Sequence, residues 1–310
     1  MKKYILILLA VASSEIGLAQ QDAMFTHYSF NTLAVNSGYA GSRDALTVTG
    51  LHRSQWVNFP GAPTTQTLTV HAPLANDKIG LGLSFMHDQI GPTKSTQVNL
   101  DIAYKIQIRE TGKLSFGLKS GLNFRTNKLA SDVVTSEGGD AIFENDIQSD
   151  VLPNFGFGVY YSTPKFYVGL STPKLLENNL NDNSTATIES SEQRHFYLIA
   201  GTVFPINERQ TIKLRPTTFI KATQGAPMEL DLTALFYFVD KYWVGPMWRT
   251  TDALGILAGL NLTQQFSLGY SFDWSYANKT SVYNAGSHEL MLRYDFMFSG
   301  KGKIQSPRYF

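Results

Sequence analysis

The sequence predicts an all-β protein, a transmembrane antiparallel β-barrel of about 14 strands with short periplasmic turns and long extracellular loops. Three observations predict it: an export leader, period-two apolar segments of about ten residues repeated almost to the end, and connections whose lengths alternate with strand number. No aqueous globular core accounts for all three together.

The leader comes first. Lys2 and Lys3 precede an apolar run over residues 4–12, and Gly17 and Ala19 supply the small residues a signal peptidase needs. The run falls well short of the roughly 20 residues of a spanning helix, so residues 1–19 are expected to be a signal peptide and Gln20 the first mature residue. Cysteine is absent, which leaves no residue for lipidation, disulfides or thiolate metal sites. Lys and Arg number 26 against 25 Asp and Glu, so no basic footprint for nucleic acid exists. With 25 Gly, 20 Phe and 15 Tyr, the composition leans towards a β-protein with aromatic girdles.

Residues 20–43 are polar and poor in strand pattern, and are expected to be a periplasmic or plug segment. The barrel is expected over 44–298, and 299–310 as a periplasmic tail. Its clearest strand sets Val98, Leu100, Ile102, Tyr104, Ile106 and Ile108 on one face against Gln97, Asn99, Asp101, Lys105 and Gln107 on the other. Comparable alternation recurs at 79–85, 114–124, 155–161, 212–220, 230–238, 254–262, 266–274 and 290–298. Weaker candidates lie at 46–56, 64–72, 166–171, 195–204 and 242–249. Ten residues rise roughly 33 Å, which a tilt near 40° reduces to about 25 Å, the height of an outer-membrane apolar band. The short connections at 74–78, 109–113, 162–165, 205–209, 240–241 and 263–265 all fall at one end. The long ones at 127–152, 172–194 and 276–286 fall at the other, which assigns the periplasmic and outer sides. Outward aromatics sort by height, with Tyr161, Phe166, Phe238, Tyr242, Phe266 and Phe298 near the turns and Phe124, Phe155, Trp248 and Trp274 near the loops.

The inner face carries Lys213, Arg215 and Lys221 opposite Glu229 and Asp231, with Glu289, Arg293 and Asp295 on the last strand. Mixed signs favour an ion-paired, space-filling interior over a solute-selective lining. Glycines recur inward at 80, 82, 117, 121, 156, 158, 169, 245, 255, 259 and 269, either as bends for curvature or because residues 20–43 approach them closely. Lumen positions are expected to tolerate polar exchange, making Asp101→Ser mild beside Leu100→Arg. The six histidines show no metal-ligand spacing, and no nucleophile elbow or phosphate loop is present. No catalytic, cofactor or metal residues are therefore assigned, and the reading is that the protein is not an enzyme.

Five stretches carry a resemblance. Asn36-Ser37-Gly38-Tyr39-Ala40-Gly41, then Arg53-Ser54-Gln55-Trp56 with Phe59-Pro60-Gly61-Ala62-Pro63, resemble the PorP/SprF family of type IX secretion outer-membrane proteins. Gly169-Leu170-Ser171-Thr172-Pro173-Lys174-Leu175, Gly269-Tyr270-Ser271-Phe272-Asp273 and Gly286-Ser287-His288-Glu289-Leu290 also look like that family's pattern. Ser37-Gly38 stands where the family usually reads Pro-Ala. The resemblance implies an integral outer-membrane protein that supports export or surface retention of a secreted client such as an adhesin, with gliding motility as one setting. Its implied partners are that client, other type IX components and outer-membrane lipid. Candidate partner-binding residues are Arg53, Gln55, Trp56, Phe59 and Pro60 at the outer end of the first strand, joined by Ile142 and Phe143 in the apolar set of the 127–152 loop. A tight turn locking the barrel mouth is an equal reading of the first group. Two other classes stay open: a passive uptake channel for small or hydrophobic solutes, and a membrane-embedded hydrolase.

Overall fold

The computed structural model describes residues 24–74, 77–128, 147–178, 192–250, 252–276 and 283–296. Alternating sequence becomes sheet because every second side chain can face lipid while its neighbours face the lumen. Strands β1 (Leu46–Ser54), β2 (Thr64–Pro73), β3 (Ile79–Ile90), β4 (Thr93–Ile108) and β5 (Gly112–Asn127) form one consecutive run. Strands β6 (Ile147–Ser162) and β7 (Phe166–Thr172) continue it. Next comes β8 (His195–Thr202), which resumes beyond Val203 at Phe204–Pro205. The remaining strands are β9 (Ile212–Thr223), β10 (Glu229–Phe238), β11 (Tyr242–Arg249), β12 (Ala253–Asn261), β13 (Phe266–Ser275) and β14 (Ser287–Phe296).

Each strand pairs antiparallel with the next, and β14 pairs with β1 from Leu46↔Phe296 to Ser54↔His288. The sheet therefore closes as a 14-stranded barrel with no free edge, the condition for a sheet to survive in hydrocarbon. Prolines mark its irregularities. The β8 break lies where Pro216 of β9 offers no N–H to the ladder, and the β10–β11 pairing lapses between Thr233↔Met247 and Phe236↔Val244, around Pro246.

The predicted faces hold. Leu100, Ile102, Tyr104 and Ile106 of β4 are exposed to the exterior while Asp101, Ala103 and Lys105 are buried inward. Phe166, Phe238 and Tyr242 stand exposed at the short-turn end, and Phe124, Phe155, Trp248 and Trp274 at the other. Phe298 lies outside the described residues. One boundary differs: β6 begins at Ile147, so Val151 and Leu152 belong to a strand, and Val151 pairs with Phe124 instead of joining a loop cluster. The sequence missed this because Asp150 and Pro153 interrupt the apolar alternation.

Inside the barrel lies the chain from Met24 to Ala45, with a single helical turn, α1 (Thr32–Val35), and a 3-10 turn at Ser37–Tyr39. Phe25, Tyr28, Phe30, Leu33, Tyr39 and Ala40 are each under 7% exposed. They build two aromatic-rich cores with the wall. One joins Tyr28 and Tyr39 to Tyr160, Tyr167, Tyr197 and Phe219, and the other joins Phe30 to Trp243, Tyr237 and Met291. The hydrophobic core of this protein is thus its filled lumen.

Candidate functional site

The inserted segment runs the length of the barrel, and its contacts give its direction. At the long-loop end the backbone N–H groups of Thr26 and His27 donate to the Glu289 carboxylate at 2.8 and 2.7 Å, and His27 Nδ1 lies 2.7 Å from the same group. Arg53 Nη1 joins them, 2.6 Å from Asp273, 3.2 Å from Glu289 and 2.8 Å from Thr26 Oγ1. Midway, Asn31 bridges Thr67 and Thr69 of β2, and Asn36 Nδ2 donates to the carbonyls of Val159 and Leu170. Towards the short-turn end Gly41 N–H donates to His71, the Gly41 carbonyl accepts from Lys105 Nζ at 2.6 Å, and Arg43 pairs with Asp295 at 2.7 Å. A segment tied to opposite walls at three heights is a plug.

Glycine makes that fit possible. A Cβ on Gly80 would collide with the Ala40 carbonyl, and one on Gly117 with the backbone of Ser37 and Gly38. Gly158 and Gly169 face Asn36 in the same way, and Gly82 faces Leu33. The remaining inward glycines differ. Gly245 and Gly259 are crowded by Ala234 and Trp243 of the wall itself, and Gly121 by Asn99. Both readings of the inward glycines are correct, at different positions.

A second polar cluster lies near the outer end. Asn154 Oδ1 accepts from the N–H groups of Leu175 and Leu176, and its Nδ2 donates to the Leu176 carbonyl. Glu192, 9% exposed, accepts from Asn123, Asn154 and Asn178 and lies 3.7 Å from Lys174 Nζ. These bonds hold residues 174–178 and Glu192 against the β5 and β6 wall, beside a cavity of about 50 Å³ lined by Phe25, Val35, Asn99, Lys119 and Tyr197 among others.

The sequence-derived partner residues separate. Arg53 points into the lumen, 1% exposed, and its ion pairs serve the plug. Gln55 and Trp56 are half-buried in the β1–β2 loop, while Phe59 and Pro60 are exposed at its tip. That loop is braced on both sides: Val57 N–H donates to Gly286, Ala285 N–H to Val57, and Gly91 N–H to Gly61. Trp56 holds φ of 49° and Asn58 72°, left-handed values that cost a bulky residue about 1–3 kcal/mol and persist only where surroundings enforce them. Ile142 and Phe143 lie outside the described residues. The groups that sequence reasoning passed over are Thr26 and His27, whose role no spacing signal announces, and Asn154 and Glu192, which read as ordinary polar strand and loop residues.

A closed barrel with a lipid-facing apolar band and a filled lumen is an integral outer-membrane protein, and one whose pore is occupied by its own chain. Residues 17–294 match the family described as type IX secretion system membrane protein PorP/SprF. The chain belongs to that family. No curated protein matches it. Among solved structures, outer membrane protein Omp33 of Acinetobacter baumannii is similar at a TM-score of 0.45 and 11% identity, covering 83% of this chain and 100% of that one. A FadL homologue of Pseudomonas aeruginosa gives 0.45 and 13%, covering 87% and 94%. The NanC porin gives 0.41 and 11%, covering 82% and 100%.

All five stretches that carried the family resemblance now have structural work. Residues 36–41 are the part of the plug that packs against Gly80, Gly117 and Gly158. Arg53, Asp273 and Glu289 come from three separate stretches and meet in one cluster. Gly169 faces Asn36, Ser171 Oγ donates to the Val35 carbonyl, and Leu175 is held by Asn154.

Proposed function

We propose that this protein supports secretion or surface attachment of one specific secreted client, adhesin-like in kind, and does so as a non-enzymatic scaffold acting through its outer mouth. The observation that carries the reading is the occupied lumen: among the described residues, a segment bonded to opposite walls at three heights stands where a solute would have to pass. Work must then be done by surfaces, and membership of a type IX secretion family supplies the process. The braced loop bearing Gln55, Trp56, Phe59 and Pro60, with Ile142 and Phe143, is the proposed contact, since Phe59, exposed at the tip of that braced loop, binds at low entropic cost. Arg53 contributes from behind, by holding the plug on which the mouth is built.

Surface proteomics of a deletion strain tests the function. One or a few large surface proteins should be depleted while general secretion continues; an unchanged surface profile refutes the reading. Pull-downs with Phe59→Ala and Phe143→Ala test the site, and full client recovery by a folded double variant moves the contact elsewhere. Planar-bilayer recording separates the uptake-channel alternative, which requires stable openings in most insertions.

A further inference from the structure

We infer that the lipid-facing side of β14, β1, β2 and β3 holds the phosphorylated headgroup of an outer-leaflet glycolipid at its outer end. A break in the apolar band marks the place. The outward positions of β1 run Val48, Gly50, His52 and Ser54, while Gln66 follows Leu68 on β2 and His87 follows Phe85 on β3. Register joins these polar groups into one row: Gln66 lies directly across from both His52 and His87, and Ser54 lies across from His288 of β14. His52 stands six residues above the inner end of its strand at Leu46, Gln66 seven above Pro73, and His87 and His288 eight above Ile79 and Phe296. On other parts of the wall that height carries aromatics. Trp248 is six above Tyr242, Phe155 seven above Ser162 and Trp274 eight above Phe266, each at least 40% exposed.

One ring nitrogen of each histidine is engaged within the row. His52 Nε2 lies 3.1 Å from Ser54 Oγ, His87 Nδ1 2.8 Å from Thr96 Oγ1, and His288 Nδ1 shares a hydrogen bond with the Tyr270 hydroxyl. Among the described residues, the second nitrogen of each ring and the Gln66 amide have no hydrogen-bond partner. Such groups are costly to leave against hydrocarbon, so a polar group from outside the chain covers them. Its charge follows from what the row lacks. Residues 45–75 contain no Asp or Glu, and Asp88, Asp273 and Glu289 on the flanking strands turn inward, to Thr65, Arg53 and His27. The charge that faces out is a cation, Lys94, exposed on β4 across from Gln89. A donor-rich, carboxylate-free patch suits a phosphate with its several acceptor oxygens. Below the row the wall also offers room for an acyl chain. Gly50 leaves open space where a side chain would stand, between Leu68 and Leu292, 47% and 42% exposed. A chain in that dent brings its headgroup against His52 and Gln66. The site is on the wall and not at the mouth, so it stands whichever loop binds the client.

The test compares the full-length protein, extracted from its native outer membrane in mild detergent, with the triple variant His52→Leu, Gln66→Leu and His87→Leu, whose leucines suit a lipid-facing wall. Native mass spectrometry should find a phosphorylated glycolipid retained on the wild type and reduced roughly tenfold or more on the variant, as the loss of three donors to one phosphate requires. Heat-modifiable mobility checks that each protein is folded, and Gln66→Glu, which sets a carboxylate in the row, serves if the triple variant does not fold. Delipidated wild type is then returned to phosphatidylcholine vesicles carrying lipid A or dephosphorylated lipid A. Only lipid A should raise its unfolding temperature, and inorganic phosphate should not. Equal glycolipid on wild type and variant, or equal protection by the dephosphorylated form, overturns the inference. Protection by inorganic phosphate assigns the row to a free anion and overturns it too. A polypeptide retained by the wild type in place of lipid, and lost from the variant, gives this face to a protein partner instead.

Discussion

Replacing Glu289 with alanine should loosen the plug at its outer anchor, and the structure sets the scale. The carboxylate accepts from the Thr26 and His27 N–H groups, approaches His27 Nδ1, and lies 3.2 Å from Arg53. Alanine leaves two backbone donors of fully buried residues without an acceptor, at about 1–3 kcal/mol each. Arg53 retains Asp273, 2.6 Å away, so the full penalty of a broken buried pair, about 3–5 kcal/mol, does not apply to it. A loss of about 2–6 kcal/mol in unfolding free energy follows from the two orphaned donors. Urea titration of the detergent-solubilised protein measures this, followed by tryptophan fluorescence. Trp243 stacks on Phe30 of the plug with ring centroids 4.7 Å apart, so plug release changes its emission. Limited proteolysis should at the same time cut within residues 24–45. Leu290→Ala is the control, one residue on and 43% exposed to the exterior. If Glu289→Ala unfolds within about 1 kcal/mol of wild type and its plug stays protease-resistant, the anchoring argument is wrong, because orphaned buried donors cannot be that cheap.

Leu100→Arg places a cation on the lipid face and should cost roughly 2–4 kcal/mol, read as lost refolding yield. Asp101→Ser should be costly too, against the expectation drawn from lumen polarity alone, since Asp101 is fully buried and 2.9 Å from Lys119; removing it leaves the buried ammonium without its counter-charge, holding the Leu33 carbonyl at 3.4 Å, at up to about 3–5 kcal/mol. Gly117→Leu should displace Ser37 and Gly38 and produce openings in planar bilayers that the wild type lacks; a silent, folded variant would count against a plug packed on that glycine. Intact-mass analysis of the membrane-extracted protein should begin at Gln20, and an unprocessed Met1 would sink the proposed cleavage site.

The wall was legible because each strand repeats one rule. Lipid on one side and polar neighbours on the other leave a period of two that survives in β4, β10, β13 and β14 without any knowledge of partners. The lumen was not, because its contents are set by a different segment. Inward glycines record that a side chain is missing and not what takes its place: Gly80 yields to Ala40 of the plug while Gly245 yields to Ala234 of the neighbouring strand. Charges mislead in the same way. Asp231 and Arg249 neutralise each other on adjoining strands, as mixed signs suggest, at 2.8 Å. Asp295 is taken by Arg43, and Arg215 donates to the Ser29 carbonyl, so part of the wall's charge answers to the plug.

Arg53 shows why its role needed the register. It lies directly across the β1–β14 ladder from Glu289, the last pair but one before the barrel's outer rim. A slip of one residue in that pairing would turn either Arg53 or Glu289 into lipid, since alternate residues face opposite sides. The closing seam is therefore specified by more than hydrophobic pattern. Near its outer end Arg53 and Glu289 meet around Thr26 and His27, and near its inner end Thr47 and Arg43 meet on Asp295. Both networks join first strand, last strand and plug at once. A barrel closed in the wrong register would bury unpaired charge at two places, so the plug that fills this lumen also selects the pairing that closes it.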